Sequence, residues 1–502
     1  MTYSEKTRNK ALIPIGIVTW LGIIGRLVPR MFSDHGVYVS VAERLIAGDR
    51  LYSGVWDNKD PVFYWVMAIG RSVSPIADFV IEILWLITAC VSIHVISKKF
   101  LETRFEQQLV AYVLAPIILT GGSYGAGMTH LPGEALLFAS LAALLNNHFR
   151  VAGLLIGTLI FLKLIFLPLV FVAMYVLYRR ERNNFWGTTG KSQLALGLCT
   201  SVIAWLAVLA VRHEFFPYID SLKENFLYSH SDANVRPDTL YLGRIFSHLF
   251  RVLSLSSVMT LIGIVIAICI VLLGMRSKDQ LNRESISSPQ KVQQRTLLEL
   301  AVGLLAASVV VIFFTGTWWH HAQIYYIPSV FLVILIVGIK TPNPGEIKFR
   351  YVVSIALVTL MFAGVDHPTR YVESDKNLSI HLYELSTIQP LTKDLLKQSV
   401  KSSYARVGKN DGYGEAMGLG AWTLECPRFA QYEYDLPEVL SEDLKCLPKA
   451  EYIMVSPSYA LRNWSRTPPT TPFQYYLVGV YDLLRTQYTC KSYPSGDICK
   501  HI

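Results

Sequence analysis

The sequence predicts a polytopic α-helical membrane protein of about eleven spans, ending in a small external α/β domain. Three observations lead there. The chain is 52% hydrophobic and 17% charged, with a mean hydropathy of +0.37, whereas a soluble domain usually carries about 25% charge. Apolar runs of roughly 17–25 residues, the length that crosses a hydrocarbon core, recur as far as Val365. From Asp366 onward there is no such run, and four of the seven cysteines gather there. The net charge of +9 then reads as a topology signal and excludes a nucleic-acid footprint. The partner it implies is the lipid bilayer.

Met1 to Lys10 is short and basic, which places the N-terminus in the cytoplasm. The first apolar run, Ala11 to Pro29, lacks a small-residue cleavage site and reads as a retained helix. It delivers a polar stretch, Ser33 to Trp65, to the outside within a first external loop of residues 30–75. Spans follow at Ile76–Ser97, Glu106–Thr120 and Leu131–Leu145. Val151 to Tyr178 is about 28 residues long, holds Lys163 and Pro168, and has arginines at both ends. Two short helices meeting near Lys163 fit better than one span, since broken backbone and charge belong where protein or a cavity covers them. Further spans are expected at 193–211, 252–275, 296–316, 322–338 and 351–365. The assigned cytoplasmic segments hold 18 Lys and Arg in 61 residues, against 9 in 102 outside. That asymmetry is what the positive-inside rule requires. The expected location is the cell membrane, multi-pass, with an extracytoplasmic C-terminal domain.

Residues 1–365 thus form the membrane module and 366–502 the external domain. In the latter, Tyr404–Val407, Tyr452–Val455 and Tyr476–Val480 read as strands and Asp435–Leu447 as helical or turn-rich. Cys426, Cys446, Cys490 and Cys499 suggest an oxidising compartment and two disulfides, and the sequence-local pairing, Cys426 with Cys446 and Cys490 with Cys499, is favoured over four reduced thiols.

The first loop carries most of the candidate chemistry. Val37, Val41 and Leu45 recur at helical spacing, which predicts an amphipathic helix on the membrane surface, ended by Gly48. Asp34 at its start is either a cap or a general base at the membrane boundary. Asp57-Asn58-Lys59-Asp60-Pro61 begins as an Asx-type turn, and the aromatic run Val62-Phe63-Tyr64-Trp65 would seat it at headgroup level. Lys59 there suits a lipid-linked phosphate, or pairs with Asp57 or Asp60. A second external cluster, Trp318-Trp319-His320-His321 with Tyr325-Tyr326, reads as an aromatic belt plus one His for a phosphate or hydroxyl. Adjacent histidines point about 100° apart on a helix, so no metal site is predicted. Glu134 and Lys163 are intramembrane charges, functional by default although a helix-start acid and a snorkelling Lys are ordinary alternatives. His35, Tyr38, Asp57, Glu134 and His320 are candidates for the acceptor side of a cavity.

Taken in order, Asp34-His35-Gly36-Val37-Tyr38, Ala42-Glu43-Arg44-Leu45, Gly48, Tyr52 and Asp57 to Trp65 resemble the opening signature of the glycosyltransferase-C superfamily. The similar branch is that of bacterial protein-mannosyltransferase-like and aminoarabinose-transferase-like enzymes. Pro132-Gly133-Glu134 resembles the family's acid opening a helix, Gly153 to Pro168 its glycine-rich span ending in Lys and Pro, and His321 with Tyr325-Tyr326-Ile327-Pro328 its His/Tyr-Pro segment. The family often has a second acid where this chain has His35, and Lys-Pro-Pro where it has Lys59-Asp60-Pro61. The resemblance implies a GT-C fold and transfer of a sugar from a polyprenyl-phosphate carrier to an extracytoplasmic acceptor (protein, glycan or lipid). Asp34 would deprotonate the acceptor, while Lys59, His321, Lys163 and Tyr325 would hold the donor phosphate. No cofactor is required by this reading, and a divalent cation is left open. Two other classes compete. A transporter predicts repeated halves with paired broken segments, and only 151–178 reads as broken. A membrane anchor would put the activity in residues 366–502.

Overall fold

The computed structural model describes residues 5–27, 34–74, 76–101, 103–122, 129–180, 188–229, 288–315, 402–407, 423–426, 437–455, 459, 461, 469–493 and 496–502. The spans expected at 252–275, 322–338 and 351–365 lie outside them. The chain divides into two compact units, one of Met1–Pro29, Phe79–Ala207 and Leu240–Arg370, the other of Arg30–Asp78, Val208–Thr239 and Tyr371–Ile502. The second takes in the first external loop as well as the tail.

The first unit is helical: α1 (Glu5–Arg26), α4 (Ala77–Phe100), α5 (Arg104–Leu109), α6 (Ala115–Gly122), α7 (His130–Leu145), α8 (Phe149–Leu162), α9 (Leu167–Arg180), α10 (Thr188–Val211) and α12 (Ser288–Thr315). Among the described residues, α4 and α10 are long and apolar enough to cross a membrane, and only 39% and 22% of their apolar windows are buried in protein. Side chains such as Val18, Leu21 and Ile203 are 70%, 64% and 65% exposed, an apolar surface suited to lipid.

A π-helical turn, Val110–Leu114, joins α5 to α6. There the Tyr112 carbonyl accepts from Trp20 Nε1 at 3.1 Å, as a widened turn permits. Helix α7 ends on Asn147 at φ 61, with His148 N–H donating to Ala143 O and Asn147 N–H to Leu144 O. These two bonds satisfy the last carbonyls in a Schellman motif.

The glycine-rich stretch of α8 is a crossing surface. A Cβ on Gly153 would lie 2.2 Å from Leu194 O, and one on Gly197 would lie 2.1 Å from Arg150 O. One turn on, a Cβ on Gly157 would meet Ser201 Cβ at 2.6 Å, and Thr158 Oγ1 lies 3.1 Å from Ser201 Oγ. Small residues every fourth position let two helix backbones touch, the usual means of packing within lipid.

In the second unit, α2 (Asp34–Ile46) and α3 (Pro61–Val73) flank the polar loop, and α11 (Phe215–Ser229) follows α10. Helix α2 ends at Gly48, φ 99, where Asp49 N–H returns to Arg44 O and Gly48 N–H to Leu45 O. The tail holds a five-stranded sheet ordered β2-β1-β3-β5-β4: β1 (Ser403–Val407), β2 (Thr423–Leu424), β3 (Tyr452–Val455), β4 (Tyr488–Tyr493) and β5 (Gly496–His501). The β1–β2 and β1–β3 pairs are parallel, while β3–β5 and β4–β5 are antiparallel. Disulfides join Cys426 to Cys446 and Cys490 to Cys499, the latter pair directly opposite in the hairpin.

One expected strand is overturned. Tyr476–Val480 lies inside a helix, Pro472–Gln487, whose Thr471 and Gln474 close a capping box. The buried residues Tyr476, Val480, Leu483 and Leu484 fall at i, i+4, i+7 and i+8, a helical stripe stronger than the local β-branched content.

Candidate functional site

Pro61 opens α3, its missing N–H costing nothing at that position. The aromatic run behind it forms core, not a headgroup belt: Val62, Phe63 and Tyr64 are 2%, 4% and 0% exposed. Helical winding turns three of the four side chains inward, which alternating exposure at a membrane surface would not do. Tyr38 on α2 meets Phe63 and Tyr64 edge-on, at 5.0 and 6.0 Å between ring centres. The Tyr64 hydroxyl donates to Asp57 Oδ2 in a very short contact, and burial with the Asp57 charge pushes the Tyr64 phenol well above its ordinary value. It therefore stays a donor. Asp57 is 4% exposed, a buried carboxylate that needs such a partner.

Three side chains hold the turn that follows. Tyr52, itself at φ 66, donates its hydroxyl to Lys59 O at 2.7 Å. Tyr218 of α11 donates to Asp60 Oδ1 at 2.9 Å, and Asn225 Nδ2 to Asn58 O at 3.2 Å. The turn Asn58-Lys59-Asp60 is thereby tied down. The Lys59 amine donates to Asn58 Oδ1 at 2.5 Å and lies 5.8 Å from the centre of the Tyr38 ring. Among the described residues Lys59 forms no ion pair, while Asp57 and Asp60 each accept a tyrosine hydroxyl. A half-buried ammonium held by a neutral amide and a ring face is suited to accept an anion.

The first unit holds the other cluster. The chain breaks at Lys163, φ −163 and ψ 83, between α8 and a short 3-10 turn, Leu164–Phe166. Lys163 is 8% exposed; its amine donates to Thr129 Oγ1 at 2.9 Å and meets His130 Nδ1 more closely still. Gly133 lets the first turn of α7 rest on this break, since a Cβ there would come within 2.7 Å of the Phe166 ring and 3.3 Å of Lys163 Cδ. Glu134, 1% exposed, has neither oxygen hydrogen-bonded among the described residues and faces the charge of Lys163.

The expected residues thus separate. Tyr38, Asp57 and Lys59 come together in the second unit, Glu134 and Lys163 in the first. Asp34 and His35 form the first turn of α2, and their side chains are outside those described, as are His320, His321 and Tyr325 entirely. Sequence reasoning missed Tyr64, Thr129, His130, Tyr218 and Asn225. For His130 the signal was its place just ahead of Leu131-Pro132-Gly133-Glu134; for the others no local pattern exists. No group of three His, Cys, Asp or Glu side chains converges among the described residues.

The whole chain superposes on the crystal structure of ArnT from Cupriavidus metallidurans, solved bound to undecaprenyl phosphate. The TM-score is 0.52 at 12% identity, covering 98% of this chain and 97% of that one. The fold is of the glycosyltransferase-C type. No family model matches the sequence, and no curated protein does. The likeness is one of fold, at 12% identity.

Proposed function

We propose that the chain is an integral-membrane glycosyltransferase that moves a sugar from a polyprenyl-phosphate donor to an extracytoplasmic acceptor. The observation that carries this is the superposition over 98% of the chain on an ArnT structure that holds undecaprenyl phosphate. The residues suit the chemistry. Lys59 presents a cation without a carboxylate partner among the described residues, on a turn held by Tyr52, Tyr218 and Asn225. Fixed positive charge where a phosphate leaves is the largest help the reaction can receive. Lys163, His321 and Tyr325 are carried over from the sequence resemblance alone as candidates for the donor phosphate. Asp34, at the N-terminus of the surface helix, takes the proton from the acceptor hydroxyl. The acceptor oxygen then attacks the anomeric carbon, the carbon–oxygen bond to phosphate breaks, and the polyprenyl phosphate departs with the bonding pair. Residues 1–365 are the membrane module, with the N-terminus cytoplasmic, and residues 366–502 the extracytoplasmic domain.

The test is sugar transfer by the purified full-length protein in lipid, with a panel of polyprenyl-phosphate sugars, comparing wild type with Asp34→Asn. Asn keeps capping ability but is no base. Loss of about 10²–10⁴-fold in rate is expected. Full activity in a folded Asp34→Asn protein removes Asp34 as the base, and a wild type that consumes no donor overturns the reading.

A further inference from the structure

At the end of α10 the chain turns through Arg212-His213-Glu214. His213 adopts φ 59, and Glu214 N–H returns to Leu209 O while His213 N–H returns to Ala210 O. This left-handed corner sends residues 212 and 214 to the same side, against the first loop. Glu214 is fully buried. Its Oε1 accepts from Leu51 N–H at 2.8 Å and from Arg212 Nε at 3.0 Å. Arg212 Nη2 donates to Asp49 O at 2.6 Å, and its guanidinium lies 4.1 Å from the centre of the Trp65 ring. The corner thus grips the chain on both sides of Asp57–Asp60: at Asp49–Leu51 before it and at Trp65 after it.

Glu214 is buried while its partner Arg212 is 29% exposed; taking such a carboxylate out of water is a poor way to gain stability, and a role in setting geometry explains it better. The planar fork of Arg212 also uses both faces of its chemistry here, hydrogen bonds in the plane and a ring against it. Neither side chain approaches the Lys59 amine in any contact of the described residues. We infer that Arg212 and Glu214 are positioning residues that set the place of Lys59 for a lipid-linked phosphate. The inference rests on the glycosyltransferase reading, which supplies that ligand.

The experiment measures binding of undecaprenyl phosphate to the full-length protein in lipid, for wild type, Glu214→Ala, Arg212→Lys, Lys59→Ala and the double variant Lys59→Ala/Glu214→Ala. Glu214→Ala is expected to weaken binding about 10-fold or more, as small misplacements do. Because it acts through Lys59, it should add almost nothing in the Lys59→Ala background, a non-additivity that a purely structural role would not produce. Arg212→Lys, which keeps the charge but not the fork, should not restore wild-type affinity, and it carries the test if Glu214→Ala does not fold. Variants that bind as wild type, or a double variant whose losses simply add, overturn the positioning role. A wild type that does not bind undecaprenyl phosphate overturns the glycosyltransferase reading, and the role falls with it.

Discussion

Removing the Tyr64 hydroxyl tests how the first loop is held. Tyr64→Phe keeps the ring, and with it the edge contacts to Tyr38 and Phe63 at 6.0 and 5.6 Å. What disappears is the donor to Asp57, a carboxylate only 4% exposed. A hydrogen bond to a charged group contributes about 1.5–3 kcal/mol, and water reaches this site too poorly to replace it. Other contacts of Asp57 remain, so the middle of that range, about 2 kcal/mol, is expected. In thermal unfolding of the purified protein this corresponds to a fall of about 4–8 °C, for a cooperative unit of some 150–250 residues. The sharper assay is a double-mutant cycle with Asp57→Asn. The coupling should be about 1.5–3 kcal/mol, because an amide left without the phenol is a much smaller penalty than a carboxylate. A single-variant loss below about 0.5 kcal/mol, the size of an ordinary surface change, or strictly additive variants, would refute the claim that Tyr64 holds Asp57.

Alkali should act on the same region. Burial, together with Asp60 for Tyr52 and Tyr218 and with Asp57 for Tyr64, raises all three phenols above 10.0. Their unfolded forms lose protons first, so stability falls as pH rises past 10, by about 1.4 kcal/mol per unit for each tyrosine. Tyrosinate absorbance should then show a fraction that appears only with unfolding and shrinks in Tyr52→Phe; simple titration of every tyrosine contradicts this. At the α8–α10 crossing, Gly197→Leu should abolish the folded protein, since its Cβ meets backbone at 2.1 Å. Gly22→Ala, with open space around it, should stabilise helix α1 by about 0.5–1 kcal/mol, and equal yields of the two variants would count against the crossing. Replacing Cys490 and Cys499 by Ser opens a loop with a sequence separation of 9. It should cost the tail about 3 kcal/mol, read as earlier proteolysis of residues 402–502; an unchanged digestion pattern would show that the sheet does not need the bond.

Much of the scaffold was legible because its causes are local. Gly48 ends α2 since a left-handed residue belongs there, and the break at Lys163 follows from a run too long for one crossing that contains Lys163 and Pro168. The sequence-local cysteine pairing matches the hairpin that puts Cys490 opposite Cys499. Local signals also misled. The apolar Tyr476–Val480 reads as a strand in isolation, and only the Thr471–Gln474 box and the stripe extending to Leu484 turn it into helix. The run Val62 to Trp65 looked like an interfacial belt until α3 wound it into the core.

By itself the sequence determined the helix that Gly48 ends, the apolar helices of the first unit among the described residues, the break at Lys163 and the presence of charge within an apolar chain. Each of these depends on residues within one or two turns of one another. Only the tertiary structure decided which charges are engaged. Glu214 holds Leu51 across 163 residues, Lys163 reaches Thr129 across 34, and Tyr218 reaches Asp60 across 158. Such pairings arise from helix packing in three dimensions, which leaves no period or spacing along the chain. The same packing ties both aspartates to tyrosines.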